Sequence, residues 1–341
     1  MPMHGWIILD KPLGLGSTQA VAAVKRNLRA AGFGKVKVGH GGTLDPLATG
    51  VLPIALGEAT KLCGRMLDAS KIYDFTISFG TETSGLDAEG EVVAMSDVRP
   101  TFADVQAVLP QFTGPIEQIP PAFSAIKIDG KRAYDLARAG EVVEMKSRAV
   151  TVYELEPSPL QGRGGSAKGA EREGAGIATG TDCPPSAATR QQATKSHCLP
   201  PEGERGLQFI TLTAHVSKGT YIRSLARDIA YALGTVGHVT MLRRTKAGPF
   251  TLDQAISLDK LNAFGQGASQ DDIILPMEAG LDDIPALNLS PEQARAVQQG
   301  RVLTGIATDD GFYWGRDAEM RPVALLEITA GMLKVIRGFN I

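Results

Sequence analysis

Alternation of apolar and polar residues marks the clearest strand of the chain. Between residues 73 and 80, aromatic and aliphatic side chains fall on one face and Asp, Thr and Ser on the other, which is the two-residue period of a half-buried strand. A short apolar run at 7–10, ended by a Lys-Pro pair, predicts a second strand. Two further segments, 149–155 and 207–215, also read as strands.

A period of three to four residues predicts two amphipathic helices. The first follows Ser17 or Thr18, either of which is a suitable N-cap. The second spans about 220–233, and Gly234 stands where a C-terminal cap belongs. Because strands and helices mix without a regular βαβ rhythm, the pattern indicates the α+β class.

Two shifts in composition divide the chain. Residues 157–206 consist mainly of Gly, Ser, Ala, Thr and Pro, so we predict a flexible insertion within the first domain, since this segment buries too little apolar area to order itself. Its two cysteines and one histidine lack the spacing of a metal site. The predicted domains are a catalytic unit at 1–280 and a small β-rich module at 281–341.

Composition excludes several classes of protein. The 341 residues are 43% hydrophobic and 21% charged, which suits roughly two globular domains. No apolar run approaches the ~20 residues of a membrane span, and three cysteines make no disulfide framework. We therefore expect a cytoplasmic protein without a membrane partner. The 35 basic against 37 acidic residues give a net charge of −2, which taken alone argues against a nucleic-acid binder.

The Gly-rich stretch 37–50 is the most unusual candidate for chemistry. Pro46 disfavours the helical region for Asp45 and so holds this carboxylate on an extended backbone. Three interpretations are open: a catalytic aspartate on a rigid loop, an ordinary Asx-Pro turn, or a phosphate cradle. The cradle is disfavoured because GxxxxGK[ST] is absent, and an aspartyl-phosphate site lacks a second carboxylate cluster nearby.

A second candidate segment is SKGTYIRSLARD at 217–228. Arg223 and Arg227 lie one helical turn apart. They form either a solvated basic face or a pair of guanidiniums, one on a carboxylate and one free for phosphate. Three more basic residues follow at 243–246.

Together these segments resemble the TruB family of tRNA pseudouridine synthases, which isomerise uridine 55 in the T loop of tRNA. The resemblance covers about residues 3–258 apart from the insertion. The matching motifs are DKPLG (10–14), KVGHGGTLDPLATGVLPIALGEATKL (37–62), KIY (71–73), PPAFSAIK (120–127), SKGTYIRSLARD (217–228) and HVTMLRR (238–244).

The resemblance implies a fold and a mechanism. The expected fold is a pseudouridine-synthase core, a mixed and largely antiparallel sheet flanked by helices and loops, with a small PUA-like C-terminal domain. Asp45 matches the catalytic aspartate, which either attacks C1′ or removes the 2′ proton. Arg223 matches its arginine partner. Because the isomerisation involves neither redox chemistry nor hydrolysis, neither a cofactor nor a metal is expected.

The resemblance also assigns substrate contacts. Tyr73 matches the tyrosine that stacks on the target base, and Leu242 matches the apolar residue of the uracil pocket. His40 matches a histidine that fills the space of flipped nucleotides. Gly41 stands where many members carry Thr, which suggests a looser loop. The expected RNA contacts are Lys61, Lys127, Lys218, Arg227 and Arg244.

Charge is unevenly distributed along the chain. Residues 11–44 hold six basic and no acidic residues, a net of +6, and residues 211–246 hold six basic residues against Asp228, a net of +5. The rest must then carry −13 to give −2. This segregation predicts one basic cleft for RNA phosphates, with binding that weakens as salt rises. The resemblance implies that the bound RNA is the T stem-loop of tRNA, and we expect a monomer. The alternative is a tRNA-binding or tRNA-folding protein whose catalysis is secondary.

Overall fold

A computed structural model describes residues 3–124, 126–128, 130–134, 145–159, 206–267, 269 and 273–341. The strands of the first 280 residues are β1 Gly5–Lys11, β2 Val38–His40, β3 Ala48–Leu56, β4 Lys71–Phe79, β5 Thr81–Thr83, β6 Val92–Met95, β7 Gly114–Gln118, β8 Lys127–Ile128, β9 Lys131–Arg132, β10 Arg148–Pro157, β11 Phe209–Val216, β12 Gly237–Ala247 and β13 Phe250–Thr251. Those that follow are β14 Ala286–Asn288, β15 Leu303–Thr304, β16 Gly311–Arg316, β17 Pro322–Thr329 and β18 Met332–Gly338.

Six α-helices accompany these strands in the described ranges. They are α1 Ser17–Ala30, α2 Cys63–Asp68, α3 Phe102–Val108, α4 Ile222–Ala232, α5 Leu258–Gly265 and α6 Pro291–Gln298. None of them has the length and apolar character that crossing a membrane requires.

One large sheet contains most strands of the first 280 residues. Seven strands run in the order β1-β3-β12-β4-β11-β10-β7, with β2 beside β3 and β13 beside β12. Its pairs are antiparallel except for β12 with β3, which run parallel. Helices and loops flank this sheet, so the predicted α+β class and largely antiparallel sheet are confirmed.

The alternation in β4 places its aromatic face inside the protein. Phe75, Ile77 and Phe79 are buried in a core that also contains the apolar stripe of α4. A second core packs α1 and α5 against β1 and β3. Tyr73 and Leu242 contact both cores. They therefore lie at the junction between the two halves of the sheet, where the pocket described below opens.

The start of α1 differs from the prediction. Its N-cap is Gly16, whose N–H donates to Oε1 of Gln19 at 2.7 Å. Neither Ser17 nor Thr18 caps the helix, because Ser17 already belongs to its first turn and its hydroxyl is used on a distant loop. The second helix does end as predicted, before Gly234 in a left-handed conformation with φ +70.

After residue 285 the chain forms a separate five-stranded sheet of order β14-β16-β17-β18-β15, which packs with α6 around its own core. Trp314 and Phe339 leave that core and join Trp6 of β1 in a third cluster. Lys61 Nζ donates to the carbonyl of Gly338 at 2.8 Å across the same contact. The module is thus packed on the back of the catalytic sheet.

The predicted insertion at 157–206 lies mostly outside the described residues. The strands on either side of it, β10 and β11, pair antiparallel, and Pro157 stands opposite Leu212. Both belong to the large sheet, as expected for an enlarged connection within one domain.

Candidate active site

Asp45 stands on the loop that joins β2 to β3, and three buried polar side chains hold that loop. The first is Ser17, which is 5% exposed. Its Oγ donates to the carbonyl of Leu44 at 2.9 Å and accepts from the N–H of Leu44 at 2.8 Å. A single hydroxyl therefore satisfies both main-chain groups of the residue before Asp45, which fixes the direction of the loop at that point.

Lys11 holds the other side of Asp45. Its Nζ donates to the carbonyls of Leu15 at 2.6 Å, Pro12 at 3.0 Å and Pro46 at 3.3 Å. All three N–H groups of the ammonium are thereby used, although the residue is fully buried. Burial lowers the pKa of Lys11 to about 8, the nearby charge of Asp45 opposes that fall, and the charge of Arg244 adds to it.

Arg244 holds the start of the loop and is 1% exposed. Its Nε donates to the carbonyl of Val51 at 2.7 Å, and its Nη2 to that of Gly42 at 3.1 Å. These bonds occupy the guanidinium within the protein, and the expectation that Arg244 contacts RNA stays a prediction. The guanidinium is enclosed by main-chain carbonyls and belongs to the framework behind the loop.

Arg223 meets Asp45 in front of the loop. Its Nη2 lies 2.8 Å from Asp45 Oδ2, and the arginine side chain is 9% exposed while that of Asp45 is 48% exposed. The same nitrogen donates to the carbonyl of Phe123 at 3.0 Å. Helix α4 carries Arg223 in its first turn, so the buried helix supplies a rigid support for the guanidinium. The expected ion pair is present.

Asp87 is a second carboxylate on the same guanidinium. Its Oδ2 lies 3.1 Å from Arg223 Nη1, which also donates to the carbonyl of Gly85 at 2.9 Å. The turn that carries Asp87 is fastened by Thr83, whose hydroxyl donates to the Asp87 carbonyl at 2.6 Å. Sequence reasoning missed this residue. Its turn, SGLDAEG, has no distinctive spacing, and only three-dimensional proximity reveals the partner.

A pocket of about 320 Å³ opens beside this ion pair. Asp45, Arg223, Tyr73 and Leu242 all lie in its wall. Tyr73 and Leu242 come from neighbouring strands, since β12 and β4 pair antiparallel in this region. The structure thus brings four of the sequence-predicted site residues into one cavity, with a carboxylate, a guanidinium, an aromatic ring and an apolar side chain around it.

Tyr221 lines the same pocket and was not singled out by the sequence. Buried Gln118 fixes its backbone, because Nε2 donates to the Tyr221 carbonyl at 3.1 Å and Oε1 accepts from its N–H at 2.7 Å. Burial raises the pKa of the Tyr221 phenol, so the hydroxyl stays protonated at neutral pH. The motif at 217–228 placed this tyrosine beside Arg223, which was the available signal.

His40 does not lie in the wall of this pocket. It ends β2, opposite Ile54, and its Nδ1 is buried without a hydrogen-bond partner in the described part of the chain. Burial and the charge of Arg244 lower the pKa of His40. The neighbouring Gly41 is tightly packed, since a Cβ there would lie 2.6 Å from Cβ of Met66. The expectation of a looser loop at Gly41 is therefore wrong.

The remaining predicted RNA contacts lie in different settings. Lys218 is exposed and pairs with Asp68 at 2.9 Å. Arg227 Nε donates to Asp228 Oδ1 at 2.8 Å. Lys61 pairs with Glu58 and reaches the C-terminal module, and its expected role on RNA stays a prediction. Lys127 lies in β8, and its side chain is outside the described part.

The two basic segments do not form one uninterrupted basic cleft. Lys11, Arg223 and Arg244 are buried on the protein's own carbonyls and carboxylates, and Arg243 makes two bonds to Asp10 at 3.0 and 2.8 Å. These four cations are held by partners within the protein, so the predicted cleft, which stays a prediction, rests on the other basic residues. Exposed basic side chains remain on α1 and just after it, namely Lys25, Arg26, Arg29, Lys35 and Lys37.

Two family models match the chain. The model of the TruB family pseudouridylate synthase N-terminal domain covers residues 26–168, and that of the tRNA pseudouridylate synthase B C-terminal domain covers residues 223–282. A protein of Novosphingobium aromaticivorans named tRNA pseudouridine synthase B is 62% identical over 99% of this chain and 98% of its own length. The protein of that name from Zymomonas mobilis is 52% identical over 99% of this chain and 96% of its own length.

Solved structures share the fold. A structure of an H/ACA RNP bound to a substrate RNA containing 2′-deoxyuridine aligns over 99% of this chain and 85% of the matched chain, with a TM-score of 0.65 and 23% identity. The archaeal box H/ACA sRNP Nop10–Cbf5 complex gives a TM-score of 0.62 at the same identity, over 98% of this chain and 86% of that one. With near-full-length relatives at such identity, this chain belongs to the TruB family of pseudouridylate synthases.

Proposed function

We propose that this chain converts uridine to pseudouridine in tRNA, at position 55 of the T loop, with Asp45 as the catalytic carboxylate. The observation that carries the proposal is the Asp45–Arg223 pair at 2.8 Å in the wall of a pocket that Tyr73 and Leu242 also line. The tRNA pseudouridine synthase B relatives match this chain over almost its whole length, which supports the same substrate.

The reaction keeps every atom of the nucleotide. The bond between N1 and C1′ breaks, the uracil turns, and C5 joins C1′; C5 loses a proton and N1 gains one. Asp45 acts in one of two ways: it attacks C1′ as N1 leaves, or it removes the 2′ proton to give a glycal. Both routes require an ionised carboxylate, and Asp45 Oδ2 accepts a hydrogen bond from Arg223 Nη2 at 2.8 Å.

The second carboxylate on Arg223, that of Asp87, holds the guanidinium in position while Asp45 reacts. When Asp45 forms a bond or takes a proton, its negative charge falls and its hold on the guanidinium weakens. Arg223 then remains fixed through Nη1, which lies 3.1 Å from Asp87, and through two main-chain carbonyls. The guanidinium of Arg223 therefore stays in place while Asp45 reacts, which is the condition for electrostatic preorganisation.

The apolar part of the pocket receives the base. Tyr73 supplies a ring face on which uracil stacks, and Leu242 supplies an apolar contact. A uridine stacked in a folded T loop has to be extruded to reach them. We place His40 where flipped nucleotides leave space, and we place Lys218, Arg227 and Lys127 on RNA phosphates. We propose that the chain acts as a monomer on cytoplasmic tRNA.

The direct test is the Asp45→Asn variant, which keeps the size of the side chain and removes its charge. Purified wild-type and variant chains are incubated with unmodified tRNA transcript, and pseudouridine is mapped by carbodiimide-dependent stops of reverse transcription. We expect one stop at position 55 with the wild type and none with Asp45→Asn. A stop at that position with the variant would refute Asp45 as the catalytic group.

Two controls separate the competing readings. Asp259→Asn, an exposed carboxylate on α5, should behave as the wild type. Complementation of a deletion strain then tests whether the chain serves mainly as a tRNA-binding or tRNA-folding protein. If catalysis carries the biological role, Asp45→Asn fails to complement; if folding of tRNA carries it, the variant complements fully.

A further inference from the structure

Two carboxylates share Arg223 in the pocket wall: Asp45, which also lines the pocket, and Asp87, which does not. Lys71 lies in the same wall and contacts no carboxylate in the part of the chain that the structure describes. Lys218 and Asp68 form an ion pair close enough for their charges to act on Lys71. Two lysines therefore share one carboxylate there, an excess of positive charge that suits an anion.

Lys71 is a buried lysine that the proposed mechanism does not use. It opens β4 and is 7% exposed. Its Nζ donates to the carbonyls of Leu67 at 2.6 Å and Ala69 at 2.5 Å, at the C-terminal end of α2. An ammonium has three N–H groups, and these two bonds account for two of them. Burial and the charge of Arg244 lower the pKa of Lys71 to about 8, so its charge is held at a cost that an anion would relieve.

Lys218 stands near Lys71, between two residues that line the pocket, Ser217 and Gly219. Its partner Asp68 is the last residue of α2. The side chains of Lys218 and Asp68 are 64% and 66% exposed. An exposed ion pair of this kind is weak, so Lys218 can exchange Asp68 for a competing anion. Leu67, which is 49% exposed, lies in the wall next to them.

We propose that Lys71 and Lys218 form a subsite for one RNA phosphate, the phosphate adjacent to the nucleotide that occupies the pocket. This inference rests on the proposed function. Lys71 and Tyr73 lie on the same face of β4, two residues and about 6.6 Å apart along the strand. A uridine whose base lies against Tyr73 thus has its backbone within reach of Lys71. The phosphate takes the third N–H of Lys71, and Lys218 turns to it from Asp68.

A double-mutant cycle tests this subsite on the full chain. The substrates are synthetic T-arm stem-loops that carry a single methylphosphonate, in each stereoisomer, 5′ or 3′ of the target uridine. The proteins are the wild type, Lys71→Gln and Lys218→Gln. Glutamine keeps N–H donors for the carbonyls at the end of α2, and Lys218→Gln alters an exposed side chain only. Lys260→Gln, an exposed lysine on α5, is the matched control.

For the wild type, we expect one of the neutralised phosphates to raise KM about tenfold and to leave kcat nearly unchanged. Lys71→Gln and Lys218→Gln should raise KM for the unmodified stem-loop and show no further loss with that methylphosphonate. The salt slope of log kcat/KM should fall by about one phosphate contact in each variant. If the losses from protein and RNA changes multiply at every position, or if Lys260→Gln matches the two variants, the subsite is overturned.

Binding read separately from catalysis distinguishes this subsite from the proposed function. The same cycle is repeated with Kd values in the Asp45→Asn background. Coupling in Kd without conversion by the wild type would sink the proposed function and leave the subsite standing. Conversion without coupling in either readout would sink the subsite alone. Absence of binding to any stem-loop would overturn both.

Discussion

Arg223 and Arg244 line one pocket and are nearly equally buried, yet they hold different partners. Arg223 binds two carboxylates, Asp45 and Asp87, as well as two main-chain carbonyls. The guanidinium of Arg244 donates only to main-chain carbonyls in and next to the loop that carries Asp45, among the described residues. One arginine is tied to charges that change during a reaction, and the other is tied to a backbone that does not. The difference indicates that partner type, more than burial, separates a chemical role from a framework role.

The largest expected effect comes from Arg223. Arg223→Met should lower kcat by about 100-fold or more, as loss of one preorganised donor does in other sites. Arg223→Lys should fall nearly as far, because a single ammonium does not reproduce the fork between two carboxylates. Single-turnover rates with unmodified tRNA measure both. A lysine variant close to wild type would show that charge alone is enough.

The comparison predicts that Arg244 acts mainly on stability. Arg244→Met leaves the carbonyls of Gly42, Thr43 and Val51 without their donor, so we expect the free energy of unfolding to fall by about 3 kcal/mol. Urea unfolding of Arg244→Met beside Arg223→Met measures this. An unchanged midpoint for Arg244→Met, or an equal loss for both variants, would contradict the division between the two arginines.

Lys11, which like Arg244 holds the loop of Asp45, should make the free energy of unfolding depend on pH. Its pKa is lowered from 10.5 to about 8 in the folded protein. Below pH 8 both states hold the proton and the folded state bears the full cost of the buried charge. Between pH 8 and 10.5 the folded state releases the proton first, so the free energy of unfolding rises by up to about 3 kcal/mol.

This rise should be missing in Lys11→Met. Urea unfolding at pH 7, 8, 9 and 10 gives the difference between wild type and variant, in which the titration of other groups cancels. Parallel pH dependences for the two proteins would show that the buried charge of Lys11 does not lower the free energy of unfolding.

The smallest effect is expected at Ser17. Ser17→Ala removes the hydroxyl that satisfies both main-chain groups of Leu44, which should cost about 1–2 kcal/mol of stability and reduce kcat moderately through movement of Asp45. Thr18→Ala is the matched control, since the neighbouring hydroxyl is exposed. If Ser17→Ala and Thr18→Ala have equal stability and equal kcat, the two hydrogen bonds between Ser17 and Leu44 have no role.

Sequence reasoning succeeded where the structure depends on a local pattern or on a recognisable sequence motif. The alternation in β4 predicted its buried face, and the motifs placed Asp45 and Arg223 together across 178 positions. It failed for Asp87, which meets Arg223 from 136 positions away without any periodicity or motif. It failed also for Ser17, whose hydroxyl looked like a helix cap and instead reaches a loop 27 positions on.

The Arg243–Arg244 doublet shows a signal that was present but unused. Successive residues of a strand point to opposite faces, so two adjacent arginines in β12 cannot share one basic surface. Arg243 pairs with Asp10 on one side, and Arg244 lies beneath the loop on the other. Which of the two is buried depends on the neighbours β3 and β4, and the sequence of β12 alone does not contain that choice.

The order of strands in the large sheet has a consequence for biosynthesis. Strand β12 lies between β3 and β4, although it is made about 180 residues after β3 and about 160 residues after β4. Until residue 247 has left the ribosome, β3 and β4 each present an unpaired edge, the feature by which nascent chains associate wrongly. The same late strand brings Leu242 and Arg244 to the loop of Asp45. Closure of the sheet and completion of the pocket are therefore a single event, and a chain that stops before β12 has neither.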